Sequence, residues 1–325
     1  MIPRQPHIPA RKHPDFESLY NNWLEPLLPG LAASAKRTNY WLAACIVTAA
    51  ALVTGMLGYI FTWFSPPANT LLGLGGAIAL GISVYRYYQQ YDEYAAGFKS
   101  TIIQQMLDTI QPGLIYQPDE GISSREYKMS GLYRYEYDYF ESDDYIEGTI
   151  DGISFHCSEV HTTKLIGGTR NARRKTIFHG LFMVVPVSNR FTGGTYVQPR
   201  HRGFDPGSAL GHYYWQGPPP HSSEISFSNT SFEEYFKVLS TWPAQAKEIL
   251  SEDCQNSLLD TCRISHKPVS FSFVMGNCYI AIPLDTDLLE PSDTNPGDKE
   301  LLRKHYNTLQ LMMAVLRRLP LASLQ

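Results

Sequence analysis

Uncharged residues run unbroken from Tyr40 to Phe64, YWLAACIVTAAALVTGMLGYIFTWF. At 1.5 Å per residue this stretch reaches about 37 Å as an α-helix, more than the roughly 30 Å of hydrocarbon in a bilayer, and it predicts a membrane-spanning helix. A second uncharged run, Asn69 to Tyr85, is near the lower length limit, and Tyr87 and Tyr88 extend its interfacial end. Only Ser65, Pro66, Pro67 and Ala68 lie between the runs, so a Pro-Pro turn is expected to break both helices and set them antiparallel. A secretory signal peptide is the rival reading of the first run. Its length, its late start and the lack of a small-residue cleavage pattern argue against that reading.

Ahead of the hairpin, Phe16, Leu19, Tyr20, Trp23, Leu24, Leu27 and Leu28 fall on one helical face after a start at Pro14-Asp15, with a Pro-rich tail before it read as disordered. This amphipathic helix fits the membrane interface or the surface of the soluble domain, and Asp15, Glu17 and Glu25 favour the latter. Past the second run, Tyr91, Tyr94, Phe98, Ile102 and Met106 keep helical spacing up to Pro112-Gly113, which predicts a stalk continuous with the membrane helix.

From Tyr145 the period shortens to two. Ile146 to Ile150, the Asp151-Gly152 turn and Ile153 to Val160 form a hairpin signature, and further strands are expected at Ile177 to Val187, Thr195 to Val197, Tyr235 to Ser240 and Val269 to Val274. Gly276-Asn277 then leads into a last strand, Cys278 to Leu284, while Pro243 to Leu250 and Asp253 to Cys262 read as short helices. After a Pro/Asp/Gly-rich linker, Leu302, Tyr306, Leu309, Met313 and Leu316 mark a final helix whose seam suits the domain's own core or a second copy.

The predicted fold class is α+β: an N-terminal transmembrane helical hairpin, a helical stalk, then a soluble mixed domain with mainly antiparallel strands and a C-terminal helix. The expected divisions are an arm at 1–39, the hairpin at 40–88, the stalk at 89–113, a cytosolic α+β domain at 114–289 and a linker with the last helix at 290–325. Small residues recur every fourth position at Ala50, Thr54 and Gly58 and at Gly73, Ala77 and Gly81, a spacing that lets membrane helices approach closely. Small residues are also simply common in membrane helices. Lys36 and Arg37 before the first helix and Arg86 after the second, with an uncharged turn between, predict a two-pass protein of a bacterial inner membrane with both termini cytoplasmic.

Composition narrows the chemistry. The chain has 325 residues, room for the membrane segment and one soluble domain of roughly 200 residues. A net charge of −4 removes any global basic field for nucleic acid. The 21 Tyr and 15 Phe suit aromatic strands and membrane interfaces. Five cysteines, Cys45, Cys157, Cys254, Cys262 and Cys278, lack CxxC or zinc-knuckle spacing and read as reduced thiols.

Potential ligands are dense only in Phe155 to His161, where Cys157, Glu159 and His161 would share one strand face. They could hold a divalent metal, or Glu159 and His161 could act as an acid/base pair; the plainer reading is a polar strand face. Lys164, Arg170, Arg173, Arg174 and Lys175 surround a pair of glycines and predict a flexible basic hairpin loop over 164–175, suited to anionic lipid, an acidic partner or nucleic acid, or simply to solvent. The Gly-rich stretches Gly193-Gly194, Gly203 to Gly211 and Gly217 to Pro220 lack Walker spacing, no serine sits in a GxSxG elbow, and His179, His201, His212 and His221 show no regular ligand spacing. No cofactor motif is present.

An ordered series of segments carries a family resemblance: Pro118 to Ser123, Ser130-Gly131-Leu132, Glu147-Gly148, Ser158 to His161, Ile177 to Phe182 and Thr195-Tyr196-Val197. Later segments, Tyr235 to Val238 and Phe271 to Ile282, continue it. The chain resembles the bacterial two-helix membrane proteins catalogued as domain of unknown function 3137, over Tyr91 to Leu289 by motif and over the hairpin by layout. The resemblance implies a membrane-anchored α+β protein, names no catalytic residue, and implies a partner in the envelope such as a coiled-coil membrane protein of the LemA type. The longer N-terminal arm and the Gly203 to Ser223 loop depart from the family pattern. Taken together, these readings favour a non-enzymatic, self-associating interaction or assembly protein; the alternatives are an enzyme built on Glu159 and His161, and a lipid or nucleic-acid binder built on the basic loop.

Overall fold

In a computed structural model, residues 15–61, 65–133, 136–167, 171–187, 193–200, 221–292 and 295–320 are described, and they divide into two compact units. The first joins Met1–Pro112 to Glu290–Tyr306, and the second joins Gly113–Leu289 to Asn307–Gln325. The expected Pro-rich tail, most of the Gly203 to Ser223 loop and Arg170 lie outside the described residues.

In the first unit, α1 (Phe16–Leu19), a π-helical turn (Tyr20–Leu24), a 3-10 turn (Glu25–Leu27) and α2 (Leu28–Phe61) follow without interruption. The amphipathic stretch and the first apolar run thus form one helical rod. Pro26 and Pro29 do not break it, because Pro26 falls in the irregular 3-10 turn and Pro29 in the first turn of α2, where a missing N–H matters least. The proline pair has a different role from the expected one: Pro66 and Pro67 open α3 (Pro66–Phe98) at its first two positions, behind Ser65 in extended conformation. A π-turn (Lys99–Ile103) and α4 (Gln104–Ile110) carry the stalk on. Both composite helices are long and apolar enough to cross a membrane.

Helices α2 and α3 pack through Gly55, Gly58, Asn69, Gly76 and Ser83, all buried. A Cβ on Gly55 would lie 2.5 Å from the Gly73 backbone nitrogen, and one on Gly76 would lie 2.8 Å from that of Leu52. Asn69 donates from Nδ2 to the Gly58 carbonyl at 3.0 Å. Of the six small residues read from the sequence, Gly58 is buried and Gly73 offers its backbone to Gly55, whereas Ala50, Thr54, Ala77 and Gly81 are exposed. Four-residue spacing marks a stripe on a helix, but several parallel stripes share it, and the packed one here runs through Gly55 and Gly76.

The N-terminal arm is held within this unit. Glu17 pairs with Lys299 at 2.6 Å and Arg303 at 2.5 Å, and the Phe16 ring sits 5.7 Å from that of Tyr306. Lys299 and Arg303 begin α9 (Lys299–Arg318), whose residues to Tyr306 belong to the first unit and whose remainder belongs to the second. Leu302, Leu309, Met313 and Leu316 of its apolar seam are buried within the chain itself, as the own-core reading of the seam expects.

The second unit is built on a nine-stranded antiparallel sheet in the order β1-β2-β3-β4-β9-β8-β5-β7-β6. Its strands are β1 (Ile115–Gln117), β2 (Tyr139–Ile150), β3 (Ile153–Ile166), β4 (Arg173–Pro186), β5 (Thr195–Pro199), β6 (Ser223–Ile225), β7 (Phe236–Ser240), β8 (Ser270–Val274) and β9 (Asn277–Pro283). Four further helices are α5 (Ser124–Met129), α6 (Thr230–Tyr235), α7 (Pro243–Ile249) and α8 (Glu252–Ser265). One face of the sheet buries Val160, Phe178, Phe182, Val184, Tyr279 and Ala281 under the aromatic cluster of Tyr127, Tyr133, Tyr137 and Phe140. On the other face Cys157 meets Met312 of α9, sulfur to sulfur at 3.4 Å, and Arg317 pairs with Asp151 of the β2–β3 turn at 2.9 Å.

Candidate functional site

Strand register gathers the polar residues of the face that carries Cys157. Glu159 on β3 lies opposite Asp143 of β2 and Leu181 of β4, and His161 lies opposite Glu141 and His179. His179 is therefore diagonal to Glu159, within reach of a long side chain. Its Nε2 is 2.6 Å from Glu159 Oε1 and 3.2 Å from Oδ1 of Asp287, which follows β9. The second Glu159 oxygen accepts the backbone N–H of Leu288 at 2.6 Å. His161 stacks on His179 with ring centroids 4.6 Å apart and its Nδ1 3.9 Å from Glu141.

The backbone holds these groups in place. Gly180 has φ 154°, and a Cβ there would lie 2.2 Å from the Ile282 carbonyl oxygen, so only glycine lets β4 and β9 approach beside His179. On β2 the register shifts between Asp143 and Ile146, and Asp144 takes φ 55°. That bulge buries Asp144, whose carboxylate accepts the Tyr116 hydroxyl at 2.5 Å.

Electrostatics follow from burial. The Glu159 side chain is 5% exposed, and desolvation pushes its carboxyl above the ordinary range against the pull of the His179 and Leu288 hydrogen bonds. The hydrogen bond to Glu159 holds the His179 imidazole above its ordinary value, against its own partial burial. His161 is pushed down by burial and by the neighbouring His179.

The imidazole partner of Glu159 is His179, not His161, and the third group is Asp287 rather than Cys157. Neither His179 nor Asp287 had a spacing signal; seeing them required the β3–β4 register and the path of the chain after β9. Cys157 is fully buried, with its thiol pushed well up by burial and set against Met312, surroundings that disfavour the thiolate. The other described thiols are free as well.

The basic segment is an extended hairpin arm rather than a flexible loop up to its tip: Lys164 pairs with Lys175, Leu165 with Arg174 and Ile166 with Arg173. The Arg174 guanidinium lies 4.2 Å over the Tyr139 ring, and Leu165 and Ile166 are exposed beside it.

No curated protein matches the chain. Among solved structures, the mycobacterial trehalose monomycolate transport factor A, TtfA, aligns over 69% of this chain and 94% of its own at 10% identity and a TM-score of 0.31, a likeness too loose to carry an argument. Residues 176–321, from β4 to the last helix, match the family described as Protein of unknown function (DUF3137).

Proposed function

We propose that the chain is a membrane-anchored interaction protein whose helical hairpin sits in a bacterial inner membrane and whose α+β unit works at the cytoplasmic face. The carrying observation is the exposed apolar surface of α2 and α3. In their most apolar windows only 11% and 17% is buried, although a soluble core helix of that composition hides most of its surface. Ile46, Val47, Met56, Ile60, Leu74 and Ile78 all point outward, which suits lipid and is costly in water. Lys36, Arg37 and Arg86 flank the apolar stretches on the ends away from the Ser65–Pro67 turn, which supports a cytoplasmic position for both flanks.

Binding rather than catalysis is the reading for the α+β unit. The sequence has no complete catalytic motif, and in the candidate cluster the His179 ring nitrogen is already engaged by the Glu159 and Asp287 carboxylates. Reporter fusions test the orientation: a cytoplasm-active reporter after Gly113 is expected to work and a periplasm-active one at Ser65 likewise. The reverse pattern rejects the cytoplasmic assignment.

A further inference from the structure

Two carboxylates converge on one imidazole nitrogen: His179 Nε2 faces Glu159 Oε1 at 2.6 Å and Asp287 Oδ1 at 3.2 Å. The ligand atoms of Glu159, His179 and Asp287 all lie within 4.8 Å of one another. Asp143 and Asp144 add a second carboxylate group that shares Glu159.

A divalent cation suits two carboxylates and one imidazole gathered around a single point. It balances both carboxylates while the imidazole becomes a neutral ligand through Nε2. Around a cation with ligand bonds of about 2.0–2.2 Å, neighbouring donor atoms sit roughly 2.8–3.6 Å apart. The 3.2 Å edge already fits, and the 2.6 Å edge needs to open by a few tenths of an ångström.

The surroundings suit such a site. The Leu288 amide holds Glu159 Oε2 and leaves Oε1 turned toward His179. The His161 ring walls one side of the imidazole. The Asp287 side chain is 72% exposed, which leaves an open side for waters to complete the coordination. One imidazole with two carboxylates favours a first-row transition ion over calcium, whose sites are built of oxygen alone.

We propose that Glu159, His179 and Asp287 form a binding site for a divalent transition-metal ion of the zinc type. The test uses the full-length, tag-free chain in detergent, stripped with chelator and titrated with zinc chloride by calorimetry, with the cobalt(II) visible spectrum as a second readout. One equivalent is expected to bind, and His179→Ala and Asp287→Asn are each expected to weaken it by about tenfold or more. Asp287→Asn alters an exposed side chain, and an unchanged near-ultraviolet circular dichroism spectrum checks that it folds. Cys157→Ser should leave affinity and cobalt spectrum unchanged. Absence of stoichiometric zinc binding by the wild-type chain overturns the proposal, as does equal affinity in folded Asp287→Asn.

Discussion

His305 is a base kept neutral by the fold. It is buried in the first unit, its ring nitrogen hydrogen-bonds the Glu290 carbonyl at 2.9 Å, and burial pushes its pKa down to about 4. The unfolded chain titrates this group near 6.5, so between these values the unfolded state binds more protons than the folded one. Stability therefore falls as pH drops from about 6.5 toward about 4, by up to ~3 kcal/mol for this one group. Protection factors of the amides of residues 299–306, corrected for the intrinsic pH dependence of exchange, are expected to fall over that range, and His305→Gln to flatten the dependence; an unchanged slope in the variant contradicts it. At this scale the sequence was only partly legible. Glu159 stood out because ligand-type residues are dense around it, and alternation put it on one face with His161. Its actual partner depends on which residue of β4 lies opposite His161, and hydrophobic patterns do not specify that pairing to the residue.

Among the elements, the α2–α3 contact gives the sharpest contrast between a packed glycine and open ones. Gly76→Val places side-chain atoms against the Leu52 backbone, where even a Cβ lies at 2.8 Å, while Gly81→Ala and Gly73→Ala meet nothing within 4 Å. Overpacking of this kind costs about 1–3 kcal/mol, so Gly76→Val should lower the thermal midpoint in detergent while the two alanine variants keep it. Equal midpoints for all of these proteins contradict the packing described for the hairpin. Length decided which elements could be read in advance. The long apolar runs, the Asp151-Gly152 hairpin, α7, α8 and α9 carried enough periodicity or punctuation, whereas β1 and β6, with 3 residues each, carried none. Helix α5 did leave a signal: Ser123 caps it by accepting from the Glu126 amide at 3.2 Å, in the S-x-x-E spacing of a capping box.

For the whole molecule, the α+β class and its order of hairpin, stalk, antiparallel sheet and last helix follow from where the period changes from helical to alternating and back. Division of the last helix between two units does not follow, because a seam of Leu302, Leu309, Met313 and Leu316 reads alike whatever it packs on. The central proposal is energetic: the apolar surface that α2 and α3 expose is costly in water and suits lipid. The direct measurement is fractionation of expressing cells, with the membranes washed in high salt and alkaline carbonate. The protein is predicted to stay in the pellet and to enter solution only with detergent; recovery in the supernatant without detergent contradicts the account.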